Sequence, residues 1–271
     1  MKDITYILPT RIDSDDRLRN TITSVTYLIK NFPEAKILVK EVDKQSIFKQ
    51  NVLPKINTLV EVKNLTHIFE KSTDAFFHKT RILNDLILEA DTEVVASHDV
   101  DVVYPLENHQ SAYYSIINGV SDIVYPYGCG VYQFKVNSFS VVFENFLKSD
   151  FNFDVIQPYS KCDQSTINWS QFYNRKKVIE GYMWNENFLN SNVANREFYY
   201  RFNRLGYSVN RYDGVIWHFE HDKVNSQNLE YEKMKENNDL WQWIREQDSN
   251  NLDRYYKNQE YLKLRHTDAC V

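Results

Sequence analysis

The chain has 271 residues and a mass of 32.4 kDa, which corresponds to one large domain or two small ones. Its 32 Lys and Arg residues are outnumbered by 37 Asp and Glu residues, and the formal charge of −5 excludes a nucleic-acid binder that depends on a basic face. Apolar residues make up 42% of the chain, enough for a packed core, so a disordered chain is excluded too.

The three cysteines, Cys129, Cys162 and Cys270, have no CxxC spacing and cannot all pair. This pattern disfavours a disulfide scaffold and a structural zinc site, and it favours a reducing compartment. No apolar run approaches the ~18 residues of a membrane span, and no signal-like apolar segment follows Met1. We therefore expect a cytoplasmic protein or one peripheral to the inner face of the membrane, and the sequence does not predict its oligomeric state.

The first half of the chain predicts alternating strands and helices. In chain order they are a strand at 4–8, a helix from the capping residues 13–16 to 29, a strand at 35–42, weaker strands at 60–62 and 67–69, an amphipathic helix at 79–90, and a buried strand at 93–97. Strands separated by helices predict a largely parallel sheet, covered by helices on both faces. Ligands bind at the carboxyl ends of such strands, here residues 9–17 and 98–101.

The second half has a less regular pattern. We predict a strand at 123–127, a helix at 136–147, a loop over 150–169, a helix at 195–205 that ends at Gly206, short strands at 208–212 and 215–218, and a polar helical segment from 227. The expected organisation is a catalytic domain at 1–224 followed by a helical C-terminal extension at 225–271.

Two carboxylates with one residue between them, Asp99 and Asp101, follow the predicted buried strand directly. Carboxylate oxygens suit Mg²⁺ or Mn²⁺, and such an ion can bridge a diphosphate. An exposed acidic turn is the alternative. His218 and His221 follow a later strand. Either imidazole can complete the coordination of a metal ion bound by Asp101, and a partly buried histidine that binds no metal is the alternative. The chain has no HExxH helix, which disfavours a zinc protease.

Polar and basic residues also follow the first strand and begin the helix at 79–90. Asp side chains there can meet ribose hydroxyls and Arg side chains can meet phosphate, although helix capping and a solvated helix face are alternatives. The residues in question are Arg11, Asp13, Arg17, Lys79, Arg81 and Asn84. The chain lacks GxGxxG, P-loop and GxSxG motifs, which disfavours dinucleotide-binding, ATP-hydrolysing and serine-hydrolase functions.

Together these segments resemble the GT-A glycosyltransferases, specifically bacterial relatives of the β-1,4-galactosyltransferase and polypeptide GalNAc-transferase type. The segments that match are residues 7–14 with Arg17, 79–84 (KTRILN), 98–105 (HDVDVVYP) and 175–207, and the match covers roughly residues 4–223. The resemblance implies an α/β GT-A fold, with a mixed, mostly parallel sheet flanked by helices.

The resemblance also implies roles for individual residues. Asp101 would bind Mn²⁺ (or Mg²⁺), Asp99 would support the ribose or the metal loop, and His218, with His221 as second choice, would be the third metal ligand. The UDP-sugar donor would be held by Pro9, Thr10, Arg11, Asp13, Arg17, Arg81, Asn84 and Asp99. The glycan acceptor would contact Tyr182, Trp184 and Asn195.

One departure from the family concerns the catalytic base. Where the family has a Glu-Asp pair before the helix at 195–205, this chain has Ala194 and Asn195, neither of which can accept a proton as a carboxylate does. Glu197 is the best substitute in the sequence, although a first-turn helix acid is its ordinary role. Asp163 and Glu186 rank below it.

The sequence thus predicts a metal-dependent hexosyltransferase, inverting by its resemblance, that moves galactose or GalNAc from a UDP-sugar to an oligosaccharide or lipid-linked glycan in bacterial surface polysaccharide synthesis. A catalytically silent sugar-nucleotide binder is one alternative, which the missing base favours. A metal-dependent nucleotidyltransferase or phosphohydrolase that uses Asp99 and Asp101 is the other.

Overall fold

The structure is a computed structural model that describes residues 1–163, 169–189, 191–222 and 227–268. Its strands are β1 (Ile4–Thr10), β2 (Lys36–Asp43), β3 (Leu65–Lys71), β4 (Val94–His98), β5 (Val102–Val103), β6 (Ile123–Tyr125), β7 (Gln133–Val136), β8 (Ser160–Cys162), β9 (Ser170–Asn174), β10 (Val209–Arg211) and β11 (Ile216–Phe219). Its α-helices are α1 (Asp15–Asn31), α2 (Leu53–Asn57), α3 (Lys79–Glu89), α4 (Leu106–Ile117), α5 (Ser140–Lys148), α6 (Arg175–Glu180), α7 (Ser191–Arg204), α8 (Gln227–Glu246), α9 (Ser249–Lys257) and α10 (Glu260–Asp268).

A seven-stranded sheet with the order β10-β6-β9-β4-β1-β2-β3 forms the centre of the molecule. Its pairings are parallel except at β9, which runs antiparallel to both β4 and β6. Side chains of β1 alternate between two hydrophobic clusters, with Tyr6 and Leu8 in one and Ile7 in the other, as the two-residue period of a strand requires. Both faces are therefore covered, and the predicted mixed, mostly parallel sheet flanked by helices is confirmed.

A second, four-stranded sheet with the order β5-β11-β7-β8 lies beyond the end of β4. Strand β11 lies between β5 and β7 and pairs with both, antiparallel to β5 and parallel to β7. This pairing places His218 opposite Val102 on one side and opposite Lys135 on the other. The small sheet thereby places residues of β11 beside the segment that directly follows β4.

Several predicted elements are confirmed and others differ. The helices around 15–29 and 79–90 and the strands near 4–8, 35–42, 93–97, 209–211 and 216–219 are present. The predicted strand at 60–62 is wrong, because the segment after α2 is a turn, and β3 begins at Leu65. The predicted loop over 150–169 contains β8 and two short 3₁₀ turns, and its residues 164–168 lie outside the described part of the chain.

The helices after residue 226 pack on the same core as the large sheet. The apolar residues that join them to that hydrophobic cluster are Ile244, Leu252, Tyr256, Tyr261 and Leu262. The predicted division between residues 224 and 225 remains a prediction, but the C-terminal helices share a core with the preceding segment. Within the described ranges, no helix has the length and apolar character needed to cross a membrane.

Candidate active site

A cavity of about 580 Å³ opens where the carboxyl ends of β1 and β4 meet the small sheet. The location agrees with the expectation that ligands bind at the carboxyl ends of parallel strands. Its lining is rich in charged side chains and in imidazoles. The lining residues are Pro9, Asp16, Arg17, Phe77, Lys79, Asp99, Val100, Asp101, Lys135, Ser138, Trp169, Asn195, His218, Glu220, His221 and Asp222.

Asp101, His218 and His221 form a compact triad in this cavity. The Asp101 Oδ2 atom lies 3.6 Å from His218 Nε2 and 3.3 Å from His221 Nε2. One ligand atom from each residue lies within 4.8 Å of the others, close enough for all three to contact one ion. A carboxylate with two imidazoles is a donor set that Mn²⁺ and related divalent ions accept.

Strand β11 and the loop after β4 hold the triad in place. The backbone N–H of Phe219 donates to the Asp101 carbonyl at 2.7 Å, which ties the acidic loop to β11. Trp217 stacks on Phe134 and Phe153, whereas the next residue, His218, lines the cavity on the opposite face, as strand alternation requires. His221 is oriented by a 3.0 Å contact between its Nδ1 and the Asp222 carbonyl.

Electrostatics in the triad favour an ionised carboxylate. Burial raises the pKa of Asp101, but the charge of His218 and the hydrogen bonds with both imidazoles lower it by more, so the pKa lies well below its usual range. The hydrogen bond with Asp101 raises the pKa of His221. Asp101 Oδ1 and His218 Nδ1 are buried and have no hydrogen-bond partner among the described residues. A buried carboxylate oxygen with unused acceptor capacity fits a metal ligand.

Asp99 and His98 have other partners. The Lys79 ammonium contacts Asp99 Oδ1 at 2.5 Å, and both residues line the cavity. Burial raises the pKa of Asp99, with the Lys79 charge opposing the shift. His98 is fully buried and stacks on Tyr104 with ring centroids 5.5 Å apart, so it belongs to the core. The triad uses Asp101 and not Asp99.

Among the residues predicted to hold the nucleotide, Pro9 and Arg17 line the cavity. Asp13 lies 3.1 Å from the Arg17 Nε atom as an i,i+4 ion pair. The Thr10 hydroxyl is buried and donates to the Leu8 carbonyl at 3.1 Å. The Arg11 guanidinium donates to the carbonyls of residues 42, 75 and 76, so in this structure it joins the loops that flank the cavity.

The structure does not bring Arg81 and Asn84 to the cavity. Arg81 pairs with Glu70 at 2.6 Å on the outer side of α3. Asn84 is fully buried, and its amide hydrogen-bonds both to the backbone of Trp184 and to Glu186. The expectation that Asn84 holds uridine is therefore replaced: its polar atoms join α3 to the segment at 184–186.

Glu197 is not a catalytic base in this arrangement. Two positions along a helix are about 200° apart, so the turn of α7 that presents Asn195 to the cavity turns Glu197 into the core. Glu197 is fully buried, lies 2.6 Å from Arg201 Nε and accepts a hydrogen bond from the Tyr256 hydroxyl at 2.5 Å. A carboxylate committed in this way has no access to an acceptor hydroxyl.

The two lower-ranked acids have structural partners as well. Glu186 accepts hydrogen bonds from Asn84 and from Arg265 of α10 and is not part of the cavity lining. Asp163 lies 2.9 Å from the Lys135 ammonium and is not among the described residues that line the cavity. A base must lie within hydrogen-bond reach of the acceptor hydroxyl, and neither of these acids lines the cavity in which we expect the acceptor.

Of the three residues predicted to contact the acceptor, one lines the cavity and two do not. Asn195 lines the cavity, whereas Trp184 is buried and stacks on Phe198 at 4.2 Å. The Tyr182 hydroxyl donates to Asp253 of α9, and its ring stacks on Tyr256. Tyr182 and Trp184 therefore pack the core that supports α7 rather than line the cavity.

Sequence reasoning missed Trp169 and Lys135. Trp169 stacks on His218 with ring centroids 5.1 Å apart and lines the cavity, and Lys135 is the cross-strand neighbour of His218. No spacing in the sequence links these residues to the histidines. The only available signal was local: if 133–136 is read as a β-strand, alternation places the polar residues Gln133 and Lys135 on one face of the sheet.

No family model and no curated protein matches the chain. Among solved structures, a mannosyltransferase from Pyrobaculum calidifontis in complex with GDP-Man and Mn²⁺ superposes with a TM-score of 0.55 at 12% identity, covering 91% of this chain and 65% of its own. TarS from S. aureus (residues 1–349) gives a TM-score of 0.55 at 12% identity, covering 93% and 68%. The Drosophila β1,4-galactosyltransferase 7, with manganese, UDP-Gal and xylobiose, gives 0.47 at 13% identity, covering 83% and 77%.

The chain thus spans about two thirds of the length of the first two structures. At 12% identity the likeness shows the fold, and the predicted GT-A fold is confirmed. The closer relationship to galactosyltransferases or GalNAc-transferases stays a prediction.

Proposed function

We propose that this protein is a metal-dependent glycosyltransferase that transfers a hexose from a UDP-sugar to a glycan acceptor. The observation that carries the proposal is the Asp101, His218 and His221 triad, which lies in a 580 Å³ cavity at the carboxyl ends of the central strands of a GT-A sheet. The mannosyltransferase with the same fold holds GDP-Man and Mn²⁺, which supports a nucleotide sugar and a divalent ion as ligands of this cavity.

The triad fits Mn²⁺ better than Mg²⁺, because two of its three donors are imidazole nitrogens and Mg²⁺ prefers oxygen ligands. The ion would supply positive charge next to the departing nucleoside diphosphate. Asp101 would offer its unpartnered Oδ1 atom, while His221 is held in orientation by its contact with the Asp222 carbonyl.

The donor nucleotide is proposed to lie between the β1 loop and α3, with Pro9, Arg17 and Lys79 on the cavity wall. Uridine is proposed from the sequence resemblance, and galactose or GalNAc with it. Phe77 adds an aromatic face to the same wall, and its ring lies 5.4 Å from the Arg11 guanidinium. An acceptor glycan, lipid-linked or free, is proposed to enter beside Asn195.

An inverting displacement requires a carboxylate that accepts the proton of the acceptor hydroxyl. Five carboxylates line the cavity, and Asp101 belongs to the triad. Asp99 is paired with Lys79, and Asp16 lies 2.8 Å from Arg19. Glu220 and Asp222 have no ion pair among the described residues, so they are the positions at which we propose to seek the base.

The test is calorimetric titration of UDP with and without Mn²⁺, with GDP as the matched nucleotide. We expect UDP to bind only when Mn²⁺ is present and to bind more tightly than GDP. In Asp101→Asn we expect this Mn²⁺-dependent binding of UDP to be lost. Absence of UDP binding in the presence of Mn²⁺ would overturn the proposal. Equal metal-dependent binding by Asp101→Asn would overturn the assignment of the metal site.

A catalytically silent nucleotide-sugar binder is the second candidate. Asn195 favours it, because this residue lines the cavity at the position where the resembling family has a carboxylate, and Glu197 is buried behind it. Incubation with Mn²⁺ and UDP-galactose, UDP-GalNAc or UDP-glucose separates the two candidates. Release of UDP, by hydrolysis or by transfer to added oligosaccharides, supports the enzyme, whereas tight binding without any release supports the binder.

A further inference from the structure

Lys135 is the cross-strand neighbour of a proposed metal ligand. In the parallel pairing of β7 with β11, Lys135 lies opposite His218, and direct neighbours on adjacent strands project from the same face of a sheet. Both side chains line the cavity. With adjacent strands about 4.8 Å apart, the small sheet places the backbone of Lys135 beside that of His218, and Lys135 is its cation in the cavity lining.

The other cations of the cavity are engaged elsewhere. Lys79 contacts Asp99 at 2.5 Å, and Arg17 contacts Asp13 at 3.1 Å. Lys135 also has a partner, because its ammonium lies 2.9 Å from Asp163 Oδ2. That pair is partly open to solvent, with 39% of the Lys135 side chain exposed, so water screens it and little is lost when the partner changes.

We propose that Lys135 binds the diphosphate of the donor beside the metal and stabilises it as the leaving group. A phosphate oxygen accepts a charge-assisted hydrogen bond from an ammonium, as the Asp163 carboxylate does, and a diphosphate offers more negative charge than one carboxylate. The inference rests on the proposed function, since it names a ligand of the diphosphate within the same cavity. Asp163 then holds the ammonium in place in the absence of the donor.

During transfer, the bond between the sugar C1 atom and the β-phosphate oxygen breaks, and its electron pair stays on that oxygen. The acceptor oxygen forms the new bond to C1 and gives its proton to a carboxylate or to water. Lys135 stays protonated throughout and donates a hydrogen bond to the phosphate as negative charge develops there. Its contribution is therefore expected to be larger for the departing diphosphate than for a nucleoside monophosphate.

The test compares Lys135→Met with Lys135→Arg and with the control Lys161→Met. Lys161 lies opposite Lys135 on β8, is exposed and is not part of the cavity lining, so its replacement makes the same charge change one strand further from His218. Titrations use UDP, UMP and uridine in the presence of Mn²⁺, and electron paramagnetic resonance measures the binding of Mn²⁺ alone.

We expect Lys135→Met to weaken UDP binding about tenfold or more, the range for a hydrogen bond to a charged group, and to leave uridine and Mn²⁺ binding unchanged. Lys135→Arg should recover most of the loss, and Lys161→Met should bind UDP as the original protein does. Unchanged UDP binding by Lys135→Met, or an equal loss for uridine, would overturn the proposal. Absence of UDP binding by the unaltered protein would instead overturn the proposed function.

Discussion

The substitution Glu197→Gln separates two functions for this residue, a catalytic base and a buried structural anion. The substitution is nearly isosteric and removes the charge that faces Arg201 at 2.6 Å, where both side chains are fully buried. Arg201 also donates hydrogen bonds to the carbonyls of Gly181 and Met183, so the guanidinium cannot turn toward solvent without breaking them. The variant would keep a buried cation without its counter-ion.

Breaking a buried ion pair from one side costs about 3–5 kcal/mol of unfolding free energy. For a chain of this size, each kcal/mol lowers the melting temperature by about 2–4 °C, so a fall of about 10 °C is expected. The loss of the hydrogen bond from the Tyr256 hydroxyl to a charged acceptor acts in the same direction.

The assay is thermal unfolding followed by circular dichroism, with urea unfolding as an independent measurement. Glu180→Gln is the matched control, because Glu180 is 42% exposed and pairs with Lys177 at the surface, where the expected change is below about 1 kcal/mol. Replacing both partners, Glu197→Leu with Arg201→Met, should recover much of the stability, since no charge is then left unpaired.

A Glu197→Gln variant that melts within about 2 °C of the unaltered protein while its turnover falls would refute the structural function of Glu197. That result would place Glu197 in the reaction and would require α7 to be rotated relative to the arrangement described here. Lost stability with donor binding preserved at low temperature would instead support the structural function.

Three further predictions concern pH, the metal site and the C-terminal helices. Burial lowers the pKa of His98 to about 4 in the folded protein, so between pH 6.5 and 4 the unfolded chain binds a proton at this residue that the folded chain does not. The contribution of His98 to stability is therefore fully present above pH 6.5 and falls by about 3 kcal/mol towards pH 4. His98→Phe should reduce the slope of stability against pH in urea titrations at several pH values, with buried His109 accounting for part of the slope that remains. An unchanged slope would contradict the burial argument. Asp101→Asn should abolish the quenching of tryptophan fluorescence by Mn²⁺. Quenching of the variant at the Mn²⁺ concentration that quenches the unaltered protein would disprove this prediction. Arg265→Met removes 2.6 Å contacts with Asp85 and Glu186, and we expect a loss of about 2–4 kcal/mol in urea unfolding; a change below 0.5 kcal/mol would show that α10 contributes little.

Local sequence signals were sufficient for most of the alternating half of the chain, although α2 was not predicted and the predicted strand at 60–62 was wrong. The apolar run before Pro9, the capping residues before α1 and the apolar face of the helix at 79–90 each fix an element through contacts within a few residues. The same locality explains why Asp101 and His218 were found: Asp101 follows the buried strand β4, and His218 lies near the carboxyl end of the short strand β11. The segment after β11 places His221 in the cavity, so Asp101 contacts both histidines rather than one.

Tertiary structure decided the residues whose function depends on which face of an element they occupy. Asn195 and Glu197 are two positions apart, and only the packing of α7 against the core determines which one meets the cavity. Asn84, Glu186 and Trp184 carry chemistry that suits a ligand, but long-range contacts with α10 and with one another use their polar and aromatic surfaces. Lys135 reached the site through strand pairing with β11, more than 80 residues later in the chain, and pairing over such a distance leaves no local pattern to detect. The sequence by itself determined the α/β fold class, because periodicity and residue type are local properties; which residues line the cavity was decided by the packing of distant segments against each other.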